Sequence, residues 1–456
     1  MFGVWIGKCT AFLLRLAGRR ATSLPGRVAL RFSPRLLAKL GQQLERCIVV
    51  TGTNGKTTTA NLLAAILRTE GPIVHNAEGA NMTQGIVTAL LQHTDWLGRL
   101  RVRTALFEID EATLPQVAPH LPVRIAVVTN VFRDQLDRYG ELDGTVSKLV
   151  AGLQQTEAVL VLDADDPLAH HIGITSGRRC AYYGLARDHA GEPQRRQMRD
   201  GAFCLSCGEP LHYDGYFYGQ LGLYQCQNCD FTRPLPDFLG RIQHDTIEIQ
   251  QNPLPRMRFQ LPTRGLYNVY NVLAAVSAAR VCGFNADQIA KGLAAYQSPV
   301  GRMQVFRTSP VSVLNLVKNP AGCDSVLQAV GAEPGDKVLW IAINDQAADG
   351  RDVSWLWDTD FEQVAEDRRI QFIVTSGMRA EDMALRLKYA GVPVDRLRAV
   401  PDLEAGLEEA FTVSRQLGGL PLYCLATYTA LYPTAQWLER SVSPVVPLTA
   451  HRPSVS

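Results

Sequence analysis

Cys47-Ile48-Val49-Val50-Thr51-Gly52-Thr53-Asn54-Gly55-Lys56-Thr57-Thr58-Thr59 is the stretch on which the reading of this chain turns. Cys47 to Thr51 is short, apolar and β-branched, as a buried strand requires, and a glycine turn follows it at once. From Thr57 to Arg68 the apolar positions Leu62, Leu63, Ile66 and Leu67 recur at helical spacing. Strand, loop and helix in that order make a phosphate cradle. Gly52 and Gly55 permit close backbone approach, the helix amino terminus offers amide donors, and Lys56 and Thr57 supply the cation and hydroxyl for phosphate and Mg²⁺. The common form of this motif has a further glycine at position 50, where Val50 stands.

Outward from the loop, strand candidates follow at Thr104–Ile109, Arg124–Thr129 and Ala158–Leu162, with helical or irregular segments between them. That rhythm predicts an α/β fold with a central parallel sheet. Residues 186–240 interrupt it with polar, Gly- and Tyr-rich sequence and read as an insertion. Helices are expected at Asn268–Val281 and Ala286–Ala295, then a hinge at Ser298-Pro299-Val300-Gly301. A second α/β series begins at Val311–Val317 and continues through Lys337–Ile343, Ile370–Thr375 and Leu422–Ala426. The domain expectation is a basic helical arm at 1–46, a domain carrying the phosphate loop at 47–300 with a ribbon insertion at 201–235, a C-terminal α/β domain at 301–440 and a disordered tail at 441–456.

The insertion holds Cys204-x2-Cys207 and Cys226-x2-Cys229. Two such knuckles separated by a loop of this length place four thiolates for tetrahedral Zn²⁺ with no position left for water, so the site is expected to be structural. Tyr213, Tyr216, Phe217, Tyr218 and Tyr224 are expected to form the ribbon's small core. The remaining cysteines, Cys9, Cys47, Cys180, Cys282, Cys323 and Cys424, sit in apolar contexts and are expected in the core.

With 456 residues, 46% hydrophobic and 20% charged, the composition is that of a globular protein, and a net charge of +2 excludes nucleic acid as the main partner. The charge is uneven: residues 1–46 carry nine basic side chains and one acidic one. No apolar run is long enough to span a bilayer and no signal peptide is evident, which with the paired cysteines leads us to expect the cytoplasm. The arm is expected to pack its apolar face on the body and solvate its arginines; contact with an anionic membrane surface is the other role such a helix fits.

The loop Gly52-Thr53-Asn54-Gly55-Lys56-Thr57-Thr58 resembles that of the Mur ligase family, and further segments resemble the family's motifs in order. Thr129 to Asp137 is similar to its T-N-x-x-x-D-H-L-D, Leu162 to Pro167 to its N-x-D-D-P turn, Tyr267 to Asn271 to its H-N-x-x-N, and Gly301-Arg302-Met303 to its G-R-x-E. The departures are Gln135 and Tyr267 where the family has histidine, and Leu316 to Pro320 where amino-acid-adding members have D-x-x-H-N-P. With the four-Cys insertion they resemble the ligase-like subunits that amidate lipid II.

The resemblance implies a reaction. ATP phosphorylates the α-carboxyl of D-glutamate in the lipid II stem peptide, and ammonia from a partner class-I glutamine amidotransferase displaces phosphate to leave D-isoglutamine. It implies ATP, Mg²⁺ and Zn²⁺, with Gly52, Thr53, Asn54, Gly55, Lys56, Thr57, Thr58, Asn268, Asn271 and Arg302 at the nucleotide. Glu108, ending an apolar strand on the loop's side of the sheet, is suited to holding the metal, although a strand-end acid can be merely solvated. Asn268 and Asn271 can equally cap their helix. Asn81 is a plausible loop residue near the phosphates. The resemblance also implies an Asp lent to the partner's catalytic His. The stretch Asp349-Gly350-Arg351-Asp352 through Asp358 is where to look, with Asp352 favoured over Asp349 and then Asp358; each can instead cap or solvate a helix. The alternatives are a stand-alone Mur-type ligase adding an amino acid, which the missing histidines oppose, and a non-catalytic nucleotide-binding ribbon scaffold.

Overall fold

The computed structural model describes residues 2–18, 21–76, 80–134, 142–191 and 200–442. Arg19, Arg20, Glu78, Gly79, Gln135 to Asp137 and the tail beyond Val442 lie outside the described residues. The chain divides into two compact units, one comprising residues 1–298 with 319–325 and 358–360, the other the remainder from 299 onward.

The first unit is built on nine strands: β1 (Arg46–Thr51), β2 (Val74–His75), β3 (Thr104–Glu108), β4 (Val123–Val128), β5 (Val159–Asp163), β6 (Cys180–Leu185), then, beyond a hairpin of β7 (Leu211–Tyr218) and β8 (Leu221–Cys226), β9 (Phe238–Gln243), β10 (Thr246–Gln250) and β11 (Met257–Gln260). Their order is β11-β10-β9-β6-β5-β4-β1-β3-β2, with β7-β8 a separate pair. From β6 to β2 the sheet is parallel, and β1 lies between β3 and β4, so the loop after β1 leaves the centre of the sheet. The expected parallel sheet is therefore extended by an antiparallel meander, β9 to β11. These strands alternate buried and partly exposed residues, the pattern of an edge with one face covered.

Helices α1 (Phe2–Leu16), α2 (Leu24–Phe32), α3 (Leu36–Gly41), α4 (Lys56–Leu67) and α5 (Thr83–Gln92) follow the chain order. The expected packing of the arm is inverted. The buried side of α1 is Gly3, Val4 and Gly7, whereas Phe2, Trp5, Phe12, Leu13 and Leu16 are each more than half exposed. Small residues decide this: a Cβ on Gly7 would stand 2.6 Å from Leu91 of α5 and 3.0 Å from Ala29 of α2, so backbone closeness orients the helix. Cys9 is consequently exposed, and Cys180 and Cys282 are only partly buried; Cys47, Cys323 and Cys424 are core residues.

The second unit carries a six-stranded sheet of β12 (Gln304–Phe306), β13 (Ser312–Leu316), β14 (Lys337–Ala342), β15 (Ile370–Ser376), β16 (Leu397–Ala399) and β17 (Leu422–Ala426), ordered β12-β13-β17-β14-β15-β16. All pairings are parallel except β12 with β13. β14 is wholly buried, including Lys337, whose ammonium donates to the carbonyls of Val330 (2.9 Å) and Glu333 (2.7 Å).

Candidate active site

Gly55, at φ +83°, is the left-handed N-cap of α4, and Gly52 has φ +114°. Neither position admits a side chain. A Cβ at Gly52 would lie 2.5 Å from Thr129 Oγ1, and one at Gly55 would lie 2.0 Å from Asn271 Oδ1. The segment after β4 clamps the loop from one side. Thr129 Oγ1 donates to the Asn54 carbonyl (2.7 Å), the Asn130 carbonyl accepts from Thr53 N (2.9 Å), and Asn130 Oδ1 accepts from Asn54 N (2.9 Å). Thr53 Oγ1 accepts from Phe132 N at 3.0 Å. The side chains of Thr53 and Asn54 thus shape the cradle, which leaves the first amides of α4, without carbonyl partners inside the helix, for an anion.

Asn271, in the helix Leu266–Val281, accepts from Thr59 Oγ1 (3.3 Å) and donates to Asn268 Oδ1 (3.3 Å). Asn268 in turn donates to the Arg264 carbonyl (2.6 Å). Neither asparagine caps its helix, whose N-cap is Gly265; the pair ties that helix to the back of the loop. Asn54 and Asn319 exchange reciprocal amide bonds of 3.1 and 3.3 Å, and Asn319 also donates to Asp134 (3.1 Å). Asn319 therefore braces the loop, a role the sequence alone did not reveal.

Lys56 is buried and curls back over the loop. Its ammonium donates to the carbonyls of Gly52 and Thr53 and pairs with Glu111 Oε1 at 2.9 Å. Burial disfavours the ammonium form, yet Glu111, Asp110 and Glu108 together hold its pKa above the ordinary lysine range. Burial, reinforced by Asp110, pushes the Glu111 carboxyl up despite Lys56. Glu108 is buried at the end of β3, where Asn81 donates to its Oε1 (3.2 Å) and Asn76 brackets its backbone. Glu108 is the acid that its place at the end of an apolar strand points to; Asp110 and Glu111, two and three residues on, complete a buried acidic wall around the lysine. The donor set suits a nucleotide and its divalent cation: Glu111 Oε2 and Thr58 Oγ1 are buried without hydrogen-bond partners, and Thr57, next to Thr58 in the chain, is partly exposed. Arg302 lies in the second unit, before β12.

The four sulfurs of Cys204, Cys207, Cys226 and Cys229 lie within 4.8 Å of one another. Separations of 3.6 Å (Cys204–Cys229) and 3.5 Å (Cys207–Cys226) approach the ~3.8 Å edge of a tetrahedron with ~2.3 Å zinc–sulfur bonds. Knuckle hydrogen bonds, Gly208 N to the Cys204 carbonyl and Cys226 N to the Phe231 carbonyl, both 2.8 Å, preform the site. The residues fit zinc. The ribbon's own core is Cys204, Tyr224 and Phe231 with Tyr213 against it. Phe217 and Tyr218, expected there, instead join the main core and meet Tyr270 edge-on, because the hairpin's end reaches the sheet.

In the second unit, Asp349 is buried and its carboxylate is spent: Oδ1 accepts from Thr429 N (2.7 Å), Oδ2 from Thr429 Oγ1 (2.6 Å) and Gln346 N (3.2 Å). It fixes the loop after β14 to the start of the helix Tyr428–Arg440. Asp352 is half-buried, with Oδ1 accepting from Ser354 N at 2.8 Å. Asp358 lies in the first unit, 3.9 Å from Arg133. Trp357 is exposed while Trp355 is buried. A cavity of about 640 Å³ opens at the carboxyl ends of β14 and β15, bordered by Asn344, Met378, Trp437 and Arg440; it contains none of the nucleotide-loop residues.

Residues 50–204 match the Mur ligase middle domain and residues 316–431 the MurT ligase C-terminal domain. The chain is 36% identical over 430 residues to the lipid II isoglutaminyl synthase (glutamine-hydrolyzing) subunit MurT of Staphylococcus aureus, covering 94% of this chain and 95% of that one. The chain belongs to the MurT branch of the Mur ligase family. The corresponding subunit of Streptococcus pneumoniae is 34% identical over 433 residues, covering 94% of each chain. Among solved structures, a pseudomurein peptide ligase type C from Methanothermus fervidus superposes with a TM-score of 0.68 at 21% identity, covering 87% of this chain and 78% of that one. MurF from Acinetobacter baumannii does so at 0.65 and 18%, covering 91% and 80%. These last two establish the shared fold. A MurT-type chain is thus a ligase subunit of peptidoglycan synthesis, and its relatives are named as parts of a complex.

Proposed function

We propose that the chain is the ATP-dependent amidating subunit for the lipid II stem peptide, acting with a class-I glutamine amidotransferase at the inner face of the membrane that carries the substrate. The observation that supports this most is the cradle of Gly52–Thr58 with Lys56 set among three buried carboxylates, in a chain 36% identical to named MurT subunits along nearly its whole length.

A carboxylate is a poor electrophile, so the D-glutamate α-carboxyl oxygen attacks the γ-phosphorus of ATP and releases ADP. The nitrogen of ammonia then attacks the acyl carbon; the C–O bond to the phosphoryl group breaks, and phosphate leaves with the bridging oxygen and takes up the proton that the nitrogen sheds. Mg²⁺, when bound, neutralises charge on the transferred phosphoryl group. The residues suited to hold it are Thr57 and Glu108, with Glu111 beside them. Lys56 exchanges its loop carbonyls for phosphate oxygens. The α4 amides orient the phosphate chain, and Asn54, Asn130 and Asn319 keep the loop rigid while they do so. Arg302 is the residue that resembles the family's phosphate-contacting arginine. The four thiolates hold Zn²⁺ structurally. In the partner, the glutaminase histidine is served by a carboxylate from this chain; the half-exposed Asp352 suits that role better than Asp349, whose oxygens are already committed.

The test combines the purified chain, a class-I glutaminase, ATP and lipid II, with either glutamine or ammonium as donor. Conversion of the stem-peptide carboxyl to a carboxamide, coupled to ATP hydrolysis that needs both lipid II and ammonia, is the expected result. Incorporation of an amino acid, or no hydrolysis under any combination, would overturn it.

A further inference from the structure

The outward face of α1 has no counterpart in the expected fold of a water-soluble arm. Phe2, Trp5, Cys9, Phe12 and Leu16 recur at spacings of three and four residues, forming one helical stripe, and that stripe faces solvent. It continues onto neighbouring elements. The ring of Phe2 meets exposed Phe32 of α2 edge-on at 5.6 Å, and Trp5 meets exposed Trp96 at 6.1 Å. Lys8 fastens this arrangement from beneath, donating to the Thr94 carbonyl (2.7 Å) with its ammonium 5.6 Å from the Trp96 ring. The surface is held in place by packing, with Gly3 and Gly7 forcing the large side chains outward.

A contiguous patch of aromatic and leucine side chains is costly in water and marks a contact surface. Its border says which. Arg15 is exposed on the flank of the stripe, and Arg27 and Arg31 line the exposed face of α2 beside Phe32. Acidic residues are nearly absent, since residues 1–46 contain nine basic side chains against the single Glu45. Tryptophan, phenylalanine and leucine ringed by arginine is the chemistry of a helix lying in a lipid headgroup region, apolar side down and cations toward anionic phosphates. A protein partner would meet this much unpaired positive charge only with a matching acidic face; an anionic bilayer supplies it everywhere.

We propose that α1 and the exposed face of α2 form a membrane-docking surface that seats the first unit on anionic phospholipid. The inference gives the membrane placement above a structural element, and rests on that placement only for its biological purpose. Binding itself requires neither ATP nor a glutaminase.

The test is flotation of the full chain with vesicles of phosphatidylglycerol and phosphatidylcholine, against vesicles of phosphatidylcholine alone. Binding is expected to the anionic vesicles and to weaken with added salt. The triple change Phe12→Ser, Leu13→Ser and Leu16→Ser, all at exposed positions, should lower partitioning by about a hundredfold. Arg27→Gln with Arg31→Gln should lower it by roughly tenfold. Quenching of Trp5 by brominated lipid, absent in Trp5→Phe, would confirm insertion. The triple variant should still amidate detergent-dispersed lipid II at the native rate while losing activity on lipid II in vesicles, so a failed docking surface and a failed reaction assignment give different results. No binding to anionic vesicles, unchanged binding by the triple variant, or a dimer or glutaminase complex that the triple change dissolves while vesicle binding persists would each overturn the proposal.

Discussion

Lys56→Met separates what the loop lysine does for the fold from what it does for the nucleotide. The side chain is buried, paired with Glu111 and bonded to two loop carbonyls, so its removal strands Glu111 in a wall that also contains Asp110 and Glu108. Breaking a buried pair from one side typically costs about 3–5 kcal/mol. The stranded carboxyl can limit that cost by taking a proton. Starting from a carboxyl of ordinary pKa near 4.3, protonation at pH 7 costs about 3.7 kcal/mol and at pH 5.5 about 1.6 kcal/mol. The sign follows from linkage. Burial already raises the Glu111 carboxyl, and loss of Lys56, which opposes that rise, raises it further; the native variant then binds more protons than the unfolded chain, and its stability falls as pH increases above the ordinary carboxyl range. Lys56→Met should therefore be destabilised by about 3–4 kcal/mol near neutrality, shrinking to about half that at pH 5.5. The double variant Lys56→Met, Glu111→Gln should recover to within about 1 kcal/mol of native while both variants lose amidation by about 10²- to 10³-fold. Urea unfolding, followed by hydrogen exchange in peptides of the first unit, reads the stability; carboxamide formation reads the activity. A destabilisation independent of pH, or no recovery in the double variant, would refute the ion-pair reasoning, and normal amidation by Lys56→Met would refute the phosphate assignment.

Gly55→Ala should cost about 2–5 kcal/mol, from the left-handed backbone and the 2.0 Å approach to Asn271 Oδ1; combining it with Asn271→Ala should return at least about 1 kcal/mol, and strict additivity in unfolding measurements would show that Asn271 does not back the loop. Protein purified without chelator should contain one zinc per chain, and Cys226→Ser should lose it together with hydrogen-exchange protection in β7 and β8; native protein free of zinc by elemental analysis would rule the site out. Asp352→Asn should leave stability within about 0.5 kcal/mol and abolish glutamine-driven but not ammonium-driven amidation, whereas Asp349→Ala should lower stability by about 1–3 kcal/mol and affect both donors alike. Equal loss with both donors in Asp352→Asn would exclude it as the residue serving the partner's histidine.

What could be read in advance was what short-range chemistry encodes. The strand-loop-helix around Lys56 and the Cys204–Cys229 spacing are local rules, complete within a few residues, and the structure realises both. Glu111 was not legible because nothing in Glu108-Ile109-Asp110-Glu111 says which of these acids pairs with the loop lysine; that is settled by Lys56, which lies 55 residues earlier. Asn319 was legible only as part of a motif that had lost its histidine, since its partner Asn54 is separated from it by 265 positions. The antiparallel meander was hidden by the polar alternation of an edge, and the four-Cys insertion blurred where the sheet resumed. The arm is the most instructive case. Periodicity identifies an apolar face but carries no information about the medium that covers it, and a helix with two competing faces is oriented by fit as well as by transfer energy. Gly3 and Gly7 permit a backbone approach that Phe and Trp on the same side would block, so close packing takes the small residues inward and leaves the large ones facing out. A stripe that would ordinarily signal a core contact thereby becomes a surface.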